Sequence, residues 1–316
     1  MASTKVFIDG EAGTTGLGIS ERLHALPEVE LRSLPSDRRK DPEARRALMR
    51  EVDLVVLCLP DAAARDAVAL ADSLGGDTPK LLDASTAHRI APDWVYGFPE
   101  LEPGQAERIA AASRVANPGC YPTGAIALLR PLVDAGLLPA DHPIAINAVS
   151  GYSGGGKALI AEHDRSGGPA FELYGLALEH KHVPEIELFS RLARRPVFSP
   201  AVGHYRQGML VAVPLHLDTL PGRPTGADLH DALVRRYAGQ PLVRVMPPAA
   251  DGKLEPEALN DTDLLELRVF ANDHHRQAVL VARLDNLGKG ASGAAVQNIR
   301  LMLGLPDAPR QERTHV

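Results

Sequence analysis

Cys120 lies in a segment whose residue types favour nucleophilic chemistry. The sequence around it, ANPGCYPTG at 116–124, is rich in turn-forming proline and glycine, and the apolar run 125–133 predicts a helix. A thiol at a helix N-terminus lies at the positive end of the helix dipole, which stabilises the reactive thiolate. Backbone N–H groups there can also bind an oxyanion. We therefore predict a nucleophile at Cys120, with a partly buried structural thiol as the alternative.

The second cysteine indicates packing rather than chemistry. Cys58 lies within the apolar run 54–59, where a free cysteine behaves as a small hydrophobic residue. Two cysteines in 316 residues do not suggest a disulfide framework. We therefore expect a reducing compartment and a cytoplasmic protein.

A cysteine nucleophile commonly has a histidine partner that is distant in sequence. The segment HKHVPEIE at 180–187 offers His180 and His182, two of the chain's 12 histidines. In an extended segment both would share one face, with Lys181 on the other. A metal site would require further ligands, and no clear third ligand accompanies the pair, so no metal is predicted.

Two segments combine a flexible backbone with groups that bind anions. SGYSGGGK at 150–157 closes an apolar strand with hydroxyl groups and one lysine, which suits a phosphate or carboxylate pocket, although a mobile surface loop has the same composition. Arg206 shortly precedes the strand predicted from residue 209 and could bind a carboxylate bidentately. An isolated arginine is, however, more often a surface charge. The candidate substrate-binding residues are Ser150, Gly151, Tyr152, Ser153 and Arg206.

A glycine-rich turn follows the first predicted strand. GEAGTTG at 10–16 precedes a helical segment, an arrangement in which backbone N–H groups approach a dinucleotide pyrophosphate. The spacing differs from the common G-x-G-x-x-G, and a plain tight turn is the alternative. After the second strand, SDRRK at 36–40 supplies a serine and three cations, which favours NADP, whereas Asp37 would suit the ribose hydroxyl of NAD.

The order of elements predicts an α/β fold with two domains. Strands at 5–9, 29–34, 53–59 and 80–83 alternate with helices, including 43–50 and 62–73, as in a Rossmann-like doubly wound parallel sheet. Beyond residue 117, strands at 143–149, 209–217, 264–271 and 278–284 indicate a mostly antiparallel sheet and hence an α+β domain.

Composition narrows the classes of partner. The chain is 45% apolar and 23% charged, as in globular proteins, and its formal net charge of -6 gives no basic field for nucleic acid. No segment approaches the roughly 20 apolar residues of a membrane span. We expect a small-molecule substrate, no nucleic acid and no membrane.

Seven segments in order resemble the N-acetyl-gamma-glutamyl-phosphate reductase family, in its shorter branch, over essentially the whole chain. They are GEAGTTG at 10–16, DASTAHR at 83–89, GFPEL at 97–101, ANPGCYPTGA at 116–125, SGYSGGGK at 150–157, HKHVPEIE at 180–187 and DNLGKGASGAAVQN at 285–298. The resemblance implies reduction of an acyl phosphate by NADP(H) through a thioacyl intermediate on Cys120. It maps the acid/base to the histidine pair; we choose His180, with His182 as second candidate.

The resemblance also implies the domain plan and the cofactor groove. Residues 1–117 and 286–316 would form the NADP-binding Rossmann domain, and 118–285 an α+β catalytic domain of the semialdehyde dehydrogenase type, which forms a homo-oligomer, dimer or tetramer. Asp61 stands where the longer branch has histidine, which leaves the nicotinamide contacts open. The implied cofactor residues are Gly10, Gly13, Thr14, Gly16, Ser36, Arg38, Ser85, Asn286 and Gly288.

Three alternatives remain at this point. An aspartate-semialdehyde dehydrogenase shares the architecture and the thioacyl mechanism but lacks this combination of HKHVPEI and KGASGAAVQN. A reductase acting on a carrier-protein-linked acyl phosphate differs mainly beyond the amide nitrogen of the substrate. A noncatalytic Rossmann regulator fits least well, because the cysteine, the histidine pair and the Gly/Ser segment are all present.

Overall fold

The polypeptide forms two units with separate cores. A computed structural model describes residues 3–248 and 252–306. Unit 1 contains the described residues up to Pro99, Pro103–Pro118 and those from Ala291 onwards, and unit 2 contains Glu100–Glu102 and Gly119–Gly290. In this division unit 1 resumes at Ala291, and the domain boundary expected at residue 286 stays a prediction. The end of the predicted range, 307–316, lies outside the described residues.

Unit 1 is a doubly wound parallel sheet, which confirms the predicted Rossmann-like class. Its six strands have the order β2-β1-β3-β4-β6-β5, and every pair is parallel. The elements are β1 Thr4–Asp9, α1 Thr14–His24, β2 Val29–Arg32, α2 Pro42–Met49, β3 Leu54–Leu57, α3 Asp61–Asp72, β4 Lys80–Asp83, β5 Val95–Tyr96, α4 Gln105–Ala111, β6 Arg114–Ala116 and α9 Gly293–Leu303.

Alternation along β1 separates the two cores of this unit. Val6 and Ile8 pack with α1 and α9 on one face, whereas Phe7 packs in a second cluster with residues of α2 and α3. Each such buried side chain stabilises the fold by about 1.5–3 kcal/mol. The glycine-rich turn directly follows β1, so it lies at the carboxyl end of a strand that is paired on both sides.

Unit 2 is built on a seven-stranded mixed sheet of order β11-β12-β13-β10-β7-β9-β8. Four of its pairings are antiparallel and two are parallel, which confirms a mostly antiparallel sheet. The elements are α5 Cys120–Asp134, β7 Ala145–Gly151, α6 Gly156–Ser166, β8 Phe171–Leu173, α7 Val183–Phe189, β9 Val197–Gly203, β10 Met209–His216, α8 Gly226–Tyr237, β11 Val243–Val245, β12 Leu265–Asn272 and β13 Gln277–Leu284.

Helices α5 and α8 pack on one face of the unit 2 sheet. Close approach of α5 depends on Gly124, where a Cβ atom would lie 2.9 Å from Val211 and 3.2 Å from Ala282. The start of α5 is therefore held against β10 and β13. None of the helices in the described ranges combines the length and apolar character needed to cross a lipid bilayer.

Candidate active site

Cys120 is the first residue of α5, as the sequence predicts. The preceding Gly119 is the N-cap, has extended backbone angles, and provides no side-chain cap. Backbone N–H groups at such a helix start stabilise a thiolate and an oxyanion. Gly290 packs directly on the cysteine, because a Cβ atom there would lie 2.9 Å from the Cys120 Cβ. The nucleophile candidate is thus fixed between a helix start and a glycine backbone.

Glu185, on α7, supports the residue before the cysteine. The Gly119 N–H donates to its Oε1 at 2.8 Å, and Glu185 is only 1% exposed. A charged acceptor makes this bond stronger than one between neutral groups. The sequence analysis did not single out Glu185; the signal was its place in HKHVPEIE, one helical turn beyond the histidine pair.

Tyr121 brings the two candidate histidines to the start of α5. Its ring makes edge contacts with His180 and His182, at centroid distances of 6.0 and 5.9 Å. Its hydroxyl donates to the Ala201 carbonyl at 3.1 Å and accepts from the Tyr174 hydroxyl at 3.2 Å. Burial raises the pKa of Tyr121 and raises that of Tyr174 to about 12, with negative charge at Cys120 adding to both. Both phenols therefore remain neutral near the cysteine.

The histidine pair does not lie in an extended segment, the geometry considered in the sequence analysis. His180 and Lys181 precede α7 in a turn, and His182 is the helix N-cap in αR conformation. The imidazoles are nevertheless adjacent, with centroids 4.7 Å apart, because the turn folds His182 back over His180. Proline at the second position of α7 suits a helix start, which explains why the segment leaves the extended state.

The backbone of His182 determines the protonation of His180. The His182 N–H donates to the His180 Nδ1 at 3.2 Å, so neutral His180 carries its proton on Nε2. Burial, and secondarily the charge of Lys181, lowers the pKa of His180 to about 4. Near pH 7 His180 is therefore a neutral donor through Nε2. The second histidine of the pair, His182, is itself buried, with 6% of its surface exposed.

Cys58 directly follows β3, packs against the core of unit 1 and does not begin a helix. Burial raises the pKa of its thiol to about 12, and the carboxylates of Asp83 and Asp9 add to the effect. A protonated, buried thiol is a poor nucleophile. The structural interpretation of Cys58 is confirmed, and neither cysteine forms a disulfide.

The predicted Ser150–Ser153 segment comprises the last two residues of β7 and the first two of a 3-10 turn before α6. Ser150 and Ser153 are each 2% exposed, which argues against a mobile surface loop at this end. Gly151 is required by close packing, since its Cβ would lie 2.5 Å from the Gln207 nitrogen. The Ser153 N–H donates to the Arg206 carbonyl at 3.0 Å, so the structure brings two predicted substrate segments together. The Arg206 side chain is exposed.

Two predicted cofactor residues lie in unit 2, and one of them contacts the predicted substrate segment. Asn286 donates to the Ser153 hydroxyl at 2.9 Å and accepts from the Gly208 N–H at 2.8 Å. Gly288 packs against the backbone of Thr262, which a Cβ atom would meet at 2.1 Å. Within unit 2 both residues act as structural supports. Their assignment to the cofactor groove stays a prediction.

The glycine-rich turn of unit 1 has the geometry of a phosphate cradle. Gly10 has φ +92° and its Cβ would meet the Cys58 carbonyl oxygen at 2.3 Å, so only glycine fits. Gly16 is similarly close to the Gly10 carbonyl, and Gly13 is the N-cap of α1, followed by Thr14 and with no acidic residue in the first turn. Uncapped N–H groups and two threonines suit an anion.

The other predicted cofactor residues of unit 1 lie in the loop after β2 and in the turn after β4. Ser36 and Arg38 are exposed, and Arg38 pairs with Asp41, the N-cap of α2, at 3.1 Å. The Ser85 hydroxyl donates to Asp83 at 2.8 Å and accepts from the Ala87 N–H at 3.0 Å. Asp61, which replaces the histidine of the longer branch, binds the Thr86 N–H at 3.0 Å. Ser85 thus stabilises the turn of its own segment.

In the described ranges, no group of three or more His, Cys, Asp or Glu side chains is arranged to hold a metal ion.

The sequence analysis did not predict a buried ion pair within unit 2, in which Lys289 Nζ lies 2.8 Å from Glu100 Oε1. Glu100 lies in GFPEL and Lys289 in the last motif, 189 residues apart. Their pairing explains why Glu100–Glu102 joins unit 2.

The chain matches two family models and curated relatives along almost all of its length. The models are the semialdehyde dehydrogenase NAD binding domain, at residues 5–109, and the semialdehyde dehydrogenase dimerisation domain, at 120–286. N-acetyl-gamma-glutamyl-phosphate reductases of Brucella ovis and Brucella canis are each 54% identical over 308 residues, which cover 95% of this chain and 99% of each relative.

Solved structures support the fold. Aspartate semialdehyde dehydrogenase II from Vibrio cholerae superposes with TM-score 0.69 at 18% identity, covering 96% of this chain and 99% of that one. The Candida albicans aspartate semialdehyde dehydrogenase, crystallised with NADP, gives 0.67 at 16% identity, with 96% and 99% coverage. At this identity the likeness is one of fold.

Proposed function

The chain belongs to the N-acetyl-gamma-glutamyl-phosphate reductase family, and we propose that it reduces N-acetylglutamyl 5-phosphate to N-acetylglutamate 5-semialdehyde with NADPH, in arginine biosynthesis. One observation carries the chemistry: Cys120 begins α5, and its neighbour Tyr121 contacts both histidines of the turn before α7. This arrangement combines a nucleophile, donors at a helix start and a proton-transfer group.

The Cys120 thiolate attacks the acyl carbon, a C–S bond forms, and the bond to the phosphate oxygen breaks. Inorganic phosphate leaves with the electron pair of that bond. The resulting thioester accepts hydride more readily than a carboxylate, which is why a cysteine suits this reaction. When bound, NADPH would supply the hydride to the acyl carbon. The C–S bond then breaks, which releases the aldehyde and returns the thiolate.

We assign different tasks to the two histidines. His180 presents Nε2–H as a donor to the acyl oxygen while the tetrahedral species is negatively charged, because its Nδ1 is occupied by the His182 N–H. Acceptance of the thiol proton at Nε2 would require the other tautomer and loss of that bond. His182 is therefore the stronger candidate for the base, which reverses our order of preference from the sequence.

The substrate's carboxylate and amide would bind near the Ser150–Ser153 turn and Arg206. Ser150 and Ser153 supply buried hydroxyl groups, and the Tyr152 N–H donates to the Tyr205 carbonyl at 2.9 Å, which holds the turn against the arginine's segment. Arginine recognises a carboxylate bidentately. The residues proposed to bind the substrate are Ser150, Gly151, Tyr152, Ser153 and Arg206.

The residues of unit 1 fit NADP(H). Gly10, Gly13 and Gly16 bring the backbone at the α1 N-terminus within reach of a pyrophosphate, and Thr14 adds a hydroxyl. Asp9, at the end of β1, is paired with Arg45 at 2.5 Å, so its charge does not oppose the phosphates. Ser36 and Arg38 would bind the 2′-phosphate.

The family model's dimerisation domain is consistent with a homo-oligomer, and we propose that a second copy covers the face of the unit 2 sheet opposite α5 and α8. Register places Pro214 beside Val279 on that face, and Val279 is 39% exposed. We propose a dimer, or a tetramer that contains this contact. We also propose a cytoplasmic location, where Cys120 stays reduced.

The test is the reverse reaction. N-acetylglutamate semialdehyde, NADP⁺ and phosphate are mixed with the protein, and NADPH formation is followed by absorbance, with aspartate semialdehyde as the competing substrate. Phosphate-dependent turnover of the acetylated aldehyde alone supports the proposal. Preference for aspartate semialdehyde would move the chain to the sister activity, and no turnover of either would favour a carrier-linked substrate or a noncatalytic protein.

A further inference from the structure

Two histidines outside the proposed chemistry are joined through their rings beside Tyr152. His163 lies on α6 and His204 directly follows β9, and their Nδ1 atoms are 3.0 Å apart. The planes of the two imidazoles are inclined by only 20°, with centroids 5.2 Å apart. The Tyr152 ring stacks on His163 at 4.5 Å and 16°. Rings from three separate segments are thus in mutual contact.

The His163 side of this hydrogen bond is enclosed. His163 is 4% exposed, and the backbone of Gly168 lies against its ring, since a Cβ atom there would be 2.3 Å from the His163 Nδ1. Two imidazole nitrogens at this distance share one proton, with one ring donating and the other accepting. A buried polar atom that loses its partner is costly, so the bond links α6 firmly to the segment after β9.

The joined segments are those proposed to bind the substrate. Backbone N–H groups of Gly151, Tyr152 and Ser153 donate to the carbonyls of Gly208, Tyr205 and Arg206 at 2.9, 2.9 and 3.0 Å. His204 immediately precedes Tyr205 and Arg206, and His163 supports the Tyr152 ring. The histidine bond therefore closes one end of a backbone ladder that places Tyr152 and Arg206 together.

We propose that the His163–His204 bond is a clamp that positions the site for the substrate's carboxylate. The proposal rests on the proposed function, because it takes Arg206 and Tyr152 as substrate-binding residues. His163 and His204 are positioning residues: they act through Tyr152 and Arg206 and contact no reacting atom. Loss of the bond weakens binding of the acyl substrate and leaves the chemical step at Cys120 and NADPH binding unchanged.

The experiment compares His204→Ala, His204→Gln and His163→Phe with the full-length wild-type enzyme. A glutamine amide donates and accepts as the imidazole does, so His204→Gln keeps the bond. His163→Phe keeps a ring against Tyr152 but removes the hydrogen bond to His204. We expect His204→Ala and His163→Phe to raise KM for N-acetylglutamate semialdehyde about five- to thirty-fold, the effect of one lost hydrogen bond, with kcat changed less than about two-fold. His275→Ala, in the exposed turn between β12 and β13, is the control.

Restoration of the low KM by His204→Gln supports the clamp. An unchanged KM in His204→Ala, an equal defect in His204→Gln, or a parallel loss of kcat and NADPH affinity would each overturn it. His204 is exposed, so His204→Ala carries the test if His163→Phe fails to fold. If the wild type does not turn over N-acetylglutamate semialdehyde, the proposed function fails, and the same KM comparison is made with whichever semialdehyde the wild type oxidises.

Discussion

Glu185 accepts a hydrogen bond from the backbone N–H of Gly119 across 66 residues of sequence, at 2.8 Å. The bond joins the first turn of α7, which follows the histidine pair, to the residue before Cys120. Because Glu185 is almost completely buried, its carboxylate has little water to replace this donor. One side chain therefore links the helix that follows the histidine pair to the residue before the nucleophile.

Removal of the Glu185 carboxylate should impair catalysis more than cofactor binding. Glu185→Ala leaves the Gly119 N–H without its acceptor and is expected to lower the free energy of unfolding by about 1–3 kcal/mol. We expect kcat to fall about ten- to a hundred-fold through misplacement of Cys120. Glu185→Gln, which keeps an acceptor, should be milder, and Glu187→Ala on the same helix serves as the control. Equal KM for NADPH in all variants, measured by steady-state kinetics, identifies a positioning role.

Cys120 and Cys58 should differ sharply in reactivity. Cys120→Ser is expected to bind NADPH normally and to lose at least about a thousand-fold in kcat, since a serine hydroxyl stays protonated at this site. Cys58→Ala should retain turnover, because burial raises the pKa of the Cys58 thiol to about 12. Labelling of the folded enzyme with a thiol reagent should modify Cys120 first. Near-normal activity in Cys120→Ser would rule out the thioacyl route.

Stability should decline on the acid side through His180. Its pKa is about 4 in the folded protein and 6.5 in the reference state, mainly because of burial. Between these values the unfolded chain binds more protons, so this contribution is complete above pH 6.5 and is lost as the pH falls towards 4. We expect His180→Gln to reduce the loss of unfolding free energy between about pH 7.5 and about pH 5. His275→Gln is the control, and identical slopes for His180→Gln and wild type would contradict the prediction.

Local signals in the sequence predicted much of the fold. The strand at 5–9, the glycines at 10–16 and the helical segment that follows them correspond to β1, the turn and α1. These signals are local, because hydrophobic periodicity and glycine act on residues close in the chain. The start of α5 at Cys120 follows likewise from the proline and glycine before it. These features depend on residues that are adjacent in the chain, so they can be predicted from the sequence directly.

The interactions that complete the site are long-range. The sequence indicated only that His180 and His182 would share a face if their segment were extended. The turn before α7 instead makes them adjacent and directs the His182 N–H towards the His180 Nδ1. The bonds from Gly119 to Glu185 and from His163 to His204 join distant segments through tertiary packing. One chain without an alignment gives no local signal for such contacts, so the residue types were visible but their partners were not.

The cofactor preference should depend on the loop after β2. Arg38→Ala removes a guanidinium proposed to bind the 2′-phosphate, and we expect KM for NADPH to rise about ten- to a hundred-fold, the effect of a lost charge-assisted hydrogen bond. KM for NADH should change little, because NADH lacks that phosphate. Arg65→Ala, an exposed arginine on α3, is the control for charge. Equal efficiency of the wild type with the two cofactors would argue against the assignment of Ser36 and Arg38.

The open face of the unit 2 sheet should hold the oligomer together. Val279 is exposed, and its register partner on β10 is Pro214, which is also exposed. A carboxylate in place of Val279 would be buried without a partner when a second copy packs on this face, which is strongly unfavourable. We expect Val279→Glu to shift the molecular mass measured by light scattering towards the monomer. Val234→Glu introduces the same charge at an equally exposed valine on α8, which packs on the opposite side of the sheet. If both variants keep the wild-type mass, the interface lies elsewhere; if only Val234→Glu dissociates, the helical side of the sheet is the contact surface.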